Sequence, residues 1–261
     1  QTSLLQNVGE LRTRGFEFDL GVDIIKTPDI LWSFAVNGAH YKVKMMKAPE
    51  SMINQEDALH SQKWWYATAD AWNATGGTGS GSSAAYRRWI GGDYYNIIAA
   101  KYMGVDKTTG LPLFGALVTE SNQSKFPNAK VGEVVATTDY SEAYMFDMGD
   151  ATPDLMGGFN TSFRWKDLDF AATFAFQCGG KFFSNEYALN LYNNQKLAGA
   201  LSAEMKGNTW TPNNTGAKFP MQLYGTSYTS GTDIGSWMYS DLALFSASYL
   251  NVKNLTLGYN L

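Results

Sequence analysis

Apolar and polar side chains alternate with period two along several stretches of this chain. Phe16, Phe18, Leu20, Val22 and Ile24 fall on one side, with Glu17, Asp19 and Asp23 on the other. After a turn over 26–29, with Pro28 in a favoured turn position, Ile30, Trp32, Phe34 and Val36 continue an apolar side opposite Ser33 and Asn37. Phe159, Thr161, Phe163 and Trp165 alternate with Asn160, Ser162, Arg164 and Lys166. A turn at 166–167 leads to Leu168, Phe170, Ala172, Phe174 and Phe176, which alternate with Asp169, Ala171, Thr173, Ala175 and Gln177. Near the end, Leu255, Leu257 and Tyr259 alternate with Asn254, Thr256 and Gly258. Alternation of this regularity predicts strands.

Strands with one apolar and one polar face suit a transmembrane β-barrel, where one face meets lipid and the other a watery lumen. Glu17, Asp19 and Asp23 then belong to the lumen. Between the strands lie long polar stretches at 47–85, 119–155 and 179–247, whereas the turns at 26–29 and 166–167 are short. Long loops on one side and short turns on the other are the asymmetry of outer-membrane barrels. Counting directions predicts a further crossing near 86–103, a turn at 104–110 and a return from 111. The expected total is about seven strands, with three long outside loops.

Composition narrows the function more than the fold. The 261 residues are 44% hydrophobic, 15% aromatic and 17% charged, with 26 glycines. Few charges with many aromatics and glycines suit a barrel with aromatic girdles, and also a secreted β-sandwich. The net charge of −4 gives no basic footprint for nucleic acid. One cysteine, Cys178, excludes an internal disulfide. No run of 18 apolar residues exists, so no transmembrane helix is predicted, which leaves barrel strands open.

Catalytic and metal constellations are not found. His40 and His60 are the only histidines, and neither has ligand spacing to Cys178 or to the other. No cofactor is expected. The glycine run at 76–83 lacks the lysine of a phosphate-binding loop. The suggestive set is aromatic: Trp64, Trp65, Trp72, Tyr86, Trp89, Tyr94 and Tyr95. Trp64, Trp65, Trp72 and Trp89 are candidate substrate-binding residues, since flat rings among polar neighbours can seat sugar rings. Barrel girdle or loop core is the other reading of the same set, with Tyr94 and Tyr95 leaning to the girdle.

Several phrases resemble one family. The end of the chain, Tyr249-Leu250-Asn251-Val252-Lys253-Asn254-Leu255-Thr256-Leu257-Gly258-Tyr259, is close to a phrase late in the barrels of SusC/RagA-type TonB-dependent outer-membrane transporters. Gly104-Val105-Asp106 through Thr109-Gly110-Leu111-Pro112 is similar to a second. Gly149 to Pro153 with Gly157-Gly158, then Trp165-Lys166-Asp167-Leu168-Asp169 and Phe176-Gln177-Cys178-Gly179-Gly180, complete the likeness. The resemblance implies that residues 1–261 are part of one barrel domain of 22 strands. The plug domain and the final strands are expected outside this sequence, as is a leader. It also implies TonB-dependent import of a nutrient, an oligosaccharide or else a peptide, and no enzymatic activity. The implied partners are a SusD-like surface lipoprotein, the TonB complex acting through the plug, and outer-membrane lipid, in a Gram-negative bacterium of Bacteroidota type. Two other classes stay open: a siderophore or cobalamin receptor on the same barrel, and a secreted glycan-binding β-sandwich.

Overall fold

The computed structural model describes residues 9–47, 55–56, 63–66, 85–191, 201–222, 237–238 and 240–261. In chain order the strands are β1 (Glu10–Lys26), β2 (Ile30–Lys47), β3 (Gln55–Glu56), β4 (Lys63–Tyr66), β5 (Ala85–Trp89), β6 (Asn96–Ala100), β7 (Tyr102–Val105) and β8 (Pro112–Leu117). They continue with β9 (Val134–Thr137), β10 (Met145–Asp150), β11 (Leu155–Trp165), β12 (Leu168–Cys178) and β13 (Lys181–Phe183). Helix α1 (Asn185–Leu191), β14 (Leu244–Ser246) and β15 (Tyr249–Tyr259) follow.

Five long strands form one antiparallel sheet in the order β1-β2-β11-β12-β15. The alternation read from the sequence carries across it in register. Leu20, Val36, Phe159, Phe174 and Val252 form one cross-strand row. Val22, Phe34, Thr161, Ala172 and Leu255 form the next, and Ile25, Trp32, Phe163, Phe170 and Leu257 a third. On the opposite face run Asp19, Asn37, Gly158, Ala175 and Asn251, beside Gly21, Ala35, Asn160, Thr173 and Asn254. A register shift between Asp23 and Ile25 makes Ile24 a bulge residue, so Ile25 takes the place opposite Trp32.

No described element covers the apolar face. Leu255 is 65% and Leu257 71% exposed. The one hydroxyl in its middle is satisfied within the sheet: Trp32 Nε1 donates to Thr161 Oγ1 at 3.0 Å, and Thr161 Oγ1 donates to the Ser33 carbonyl at 3.3 Å. Internal satisfaction of polar groups is what a lipid-facing surface requires, because lipid offers no hydrogen bonds. A β-sandwich would bury this face under a second sheet.

The two short turns sit together at one end. Lys166 N donates to the Asp29 carbonyl and Asn260 N to the Asp167 carbonyl, each at 2.8 Å. Lys166 adopts φ 50°, the positive value that lets a two-residue hairpin match the strand twist. The chain leaves the sheet twice at the opposite rim, after β2 and after β12, and each excursion returns to the sheet beside the strand it left.

The expected crossings near 86–103 and 111–118 are not part of this sheet. β5 and β6 belong to a second sheet of order β10-β6-β5-β4-β3, and β7, β8 and β9 form a third. The long sheet therefore has five strands rather than about seven, with two long loops at the far rim rather than three. All five residues of β6 are buried, as are most of β8. A span in a barrel wall exposes one face to lipid, so burial on both faces places these strands in a packed body instead.

That body has its own core. Ile98, Ala100, Phe114 and Met145 from the first excursion pack with Leu191, Met205, Phe219 and Trp237 from the second. The turn at 104–110, expected at the short-turn rim, docks here. Asp106 Oδ1 accepts from Thr108 N at 2.8 Å, and Trp210 Nε1 donates to the Lys107 carbonyl at 3.2 Å. Gly110 has φ 73°, and a Cβ there would meet the Trp210 ring at 2.5 Å.

Two outcomes follow for the intact barrel. Phe174→Arg should destabilise it by roughly 2–4 kcal/mol and Thr173→Arg far less, because only the first places charge against lipid, in the row midway between Ile25 and Phe16. Denaturant titration in vesicles checks this, and equal penalties would overturn the facing. Gly110→Ala should loosen the outer body by about 1–2 kcal/mol from the left-handed backbone alone. Faster proteolysis at the second excursion, with an unchanged folded-barrel gel shift, is the expected readout.

Candidate functional site

Three surfaces are open to a ligand: the polar face of the long sheet, its far rim, and the outer body. Strand pleat alone fixes the first, because every second residue of β1, β2, β11, β12 and β15 must point to it. Ser33 Oγ donates to Asp23 Oδ1 at 2.7 Å, and Lys26 pairs with the same carboxylate at 3.3 Å. Gly158 N donates to Asn37 Oδ1 at 3.0 Å. Toward the far rim lies an open depression of about 600 Å³ whose lining includes Glu17, Asp19, Asn37, Ala39 and Met156. Glu17 and Asp19 are exposed, so this face offers two acids and an amide to whatever passes.

At the rim, three segments converge on one lysine. Lys42 of β2 pairs with Asp150 and Asp154, each at 3.3 Å. Asp150 and Asp154 flank the entry to β11, where Thr152 N also donates to Asp150 Oδ1 at 3.0 Å. Gly179 and Gly180, just after β12, adopt φ 73° and 74° and turn the chain beneath this entry. A Cβ at Gly180 would meet the Ala151 carbonyl at 2.8 Å. The glycine pair and the Gly149 to Pro153 stretch, noted in the sequence only as family-like phrases, are thus the two halves of one joint. Lys42 was not singled out in the sequence, where the alternation was read only as far as Asn37; its outward side comes from the register of β1 and β2.

Side-chain clamps tie the outer body together. Tyr102 N donates to Asp241 Oδ1 at 2.8 Å and Tyr102 Oη to the Lys218 carbonyl at 2.8 Å, joining the two excursions. Burial raises the Asp241 carboxyl above its ordinary value, against the opposing pull of the Tyr102 N–H. Burial also raises the Tyr102 phenol. Lys218 and Tyr187 both reach Glu204, and their hydrogen bonds hold its carboxyl below the usual range. The Tyr187 phenol is pushed up to about 12 by burial and by Glu204.

Of the four candidate tryptophans, the structure pairs two. Trp64 of β4 lies opposite Trp89 of β5, and Trp65 opposite Arg88. Trp72 lies outside the described residues. Trp89 is half-buried, with its indole lying over Gly92. Next to it, Arg88 Nε donates to the Tyr94 carbonyl at 2.8 Å, and its guanidinium stacks 3.5 Å from the Tyr94 ring. Tyr94 N donates to the Val43 carbonyl, which joins this corner to the top of β2. Trp89 and Tyr94 therefore pack within the outer body, and Tyr95 stays exposed beside them.

His40 lies 5.5 Å from the Phe16 ring, with Nδ1 2.5 Å from the Asp154 carbonyl, so it serves the joint. His60 lies outside the described residues. Cys178 is exposed and follows the outward parity of Phe174 and Phe176. Among the described residues no group of three or more His, Cys, Asp or Glu could hold a metal ion.

Comparison with known proteins places this geometry. No family model matches the chain. Over 260 residues it is 26% identical to TonB-dependent receptor P3 of Formosa agariphila, a match that spans all of this chain and 23% of that protein. Among solved structures, the RagAB peptide transporter matches with a TM-score of 0.65 at 23% identity, covering 97% of this chain and 23% of the other. The RagAB peptide importer in a closed-closed state matches with a TM-score of 0.64 at 21% identity, over the same shares. The long sheet is thus a segment of a transmembrane β-barrel wall, and in sequence and fold this chain is similar to part of a TonB-dependent transporter of the SusC/RagA type.

Proposed function

We propose that this chain forms part of the wall and outer rim of a transporter that imports a polar nutrient oligomer across the outer membrane of a Gram-negative bacterium. One observation carries the reading: a sheet with an uncovered apolar face and a polar face behind it, topped by a packed body built from both long excursions. On this reading the work is gated binding and release, not catalysis. Energy comes from TonB through a plug, and a SusD-like lipoprotein seats on the outer body.

An oligosaccharide is the first reading of the cargo. The polar face presents Asn37, Asn160, Thr173, Asn254 and Thr256, amides and hydroxyls that can both donate to and accept from sugar hydroxyls. A peptide is the second reading, favoured by the likeness to RagAB, whose name is that of a peptide transporter. The same amides suit a peptide backbone, and Glu17 and Asp19 suit its amino terminus.

Uptake by cells carrying the full-length protein tests both. Import of a labelled oligosaccharide should stop when TonB is removed and should be undiminished by competing peptides; the reverse competition assigns the cargo to peptide. Replacing Trp64 and Trp89 by Ala should raise the half-saturating oligosaccharide concentration roughly two- to tenfold if their rings stack on sugar. An unchanged value leaves the pair as packing. The topology has its own check: an epitope at Gly216, an exposed turn with open space around it, should be reached by antibody on intact cells, and one at Thr27 should not. The opposite labelling would place the outer body inside the cell envelope and end the reading.

A further inference from the structure

The outward face of β1 and β2 changes character part of the way up. The pairing of the two strands is unbroken from Leu11 and Met45 down to Asp23 and Ser33, so one parity holds throughout. Leu20 and Val22 on β1 and Phe34 and Val36 on β2 are apolar, and Phe16 and His40 form the last aromatic pair. The next two outward pairs are Arg14 opposite Lys42 and Arg12 opposite Lys44. Four cations therefore stand in two adjacent cross-strand pairs directly above the apolar band.

Their height follows from strand geometry. From Ile25 to Phe16 the strand climbs roughly 30 Å at about 3.3 Å per residue, or roughly 23 Å along the membrane normal at a tilt of about 40°. Apolar bands of barrels are about 25 Å tall, so Phe16 sits at the outer boundary of the hydrocarbon. β1 and β2 have 17 and 18 residues, against about 9–11 needed to cross, so their upper ends project past it. Arg14 and then Arg12 lie at headgroup level.

Like charges directly opposite each other on a sheet destabilise it, so such pairs call for an anion. Lys42 has its own, Asp150 and Asp154, and above the patch Lys47 pairs with Glu10 at 3.1 Å. Arg12, Arg14 and Lys44 are exposed and make no ion pair among the described residues. Asp93, bridged to Lys44 through the backbone, is the remaining acid beside them, and it forms no ion pair with Lys44. The patch keeps a positive surplus on the face that meets lipid, not on the face that meets cargo.

We propose that Arg12, Arg14 and Lys44 bind the phosphate groups of an outer-leaflet glycolipid whose acyl chains lie on the apolar face below. The proposal rests on the transmembrane reading of the long sheet. The height of the patch and its continuity with the lipid-facing rows favour a lipid headgroup over a soluble acidic partner.

The test uses the full-length protein in neutral detergent, with fluorescent lipopolysaccharide as the probe in its phosphorylated and enzymatically dephosphorylated forms. The intact protein should bind the phosphorylated form more tightly. Replacing Arg12, Arg14 and Lys44 together by Gln should weaken that binding roughly a hundredfold, at about a factor of five per cation. Replacing all but Lys44 by Lys should preserve it. The dephosphorylated lipid should bind both proteins alike. Equal binding of the two lipid forms, or no loss in the Gln variant, overturns the proposal. So does a patch that takes soluble polyglutamate or inorganic phosphate as readily as the lipid. The heat-dependent gel shift of a folded barrel separates the two levels: its absence defeats the transmembrane reading, whereas a normal shift with phosphate-blind binding defeats the patch alone.

Discussion

A sheet whose apolar face none of the described residues covers must be covered by something other than water. The rows from Leu20 to Val252 and from Ile25 to Leu257 are continuous across five strands, and among the described residues no second layer packs on them. At about 25 cal/mol per Å², exposing such a surface to water would be disfavoured by many kcal/mol. Lipid removes that term but adds a rule of its own, that every polar group be satisfied within the protein. The antiparallel ladder meets the rule for the backbone, and the Trp32–Thr161–Ser33 chain meets it for the hydroxyl in the middle of the face. Much else follows: short turns at one rim, where the strands merely reverse, and long excursions at the other, where the chain is free of the membrane.

Freedom from the membrane does not mean freedom from folding. Two excursions of this length without structure would be unusual. They avoid it by sharing a core, in which Phe114 and Ile98 of one meet Phe219 and Trp237 of the other. Neither could bury those side chains alone. The Tyr102–Asp241 hydrogen bond and the seat of Trp210 over Gly110 lie across the same seam. The outer body is therefore a consequence of the wall, because the wall returns each excursion beside its own start and so holds the two together.

The wall was legible in the sequence because its signal is local. Period-two alternation is written into each strand, and Phe159 to Trp165 or Leu168 to Phe176 can be read without knowing what they pair with. The outer body was not, because its signal is not local. Asn96-Ile97-Ile98-Ala99-Ala100 and Pro112 to Leu117 are short apolar runs, and periodicity cannot tell a run buried on both sides from one that crosses lipid. What separates them is the partner, β10 for one and β9 for the other, and pairing over tens of residues is invisible from either segment alone. The direction count survived because the two misplaced crossings form a pair, and removing a pair leaves the sense of every later strand unchanged. The tryptophans were harder still. Trp89 is positioned by Gly92 and by a strand partner some 25 residues away, so composition could nominate it without assigning it a role.

The rim joint explains why wall and outer body act on each other. Lys42 is a wall residue, Asp150 closes the first excursion's last strand, and Asp154 immediately precedes the next wall strand. The exposed Asp154 arm contributes little stability by itself, while the Lys42–Asp150 arm is largely screened from water. Their geometry still matters, because Gly179 and Gly180 beneath them occupy backbone conformations that other residues enter only with strain. The joint is thus fixed from below by glycine and from the side by charge, and it leaves β1 and β2 to rise past it unbroken. Those two strands carry three chemistries in order along one outward face, apolar, aromatic and cationic, while their inward face carries acids and amides. A strand pair arranged this way defines where the membrane ends, and the outer body is built from that level upward.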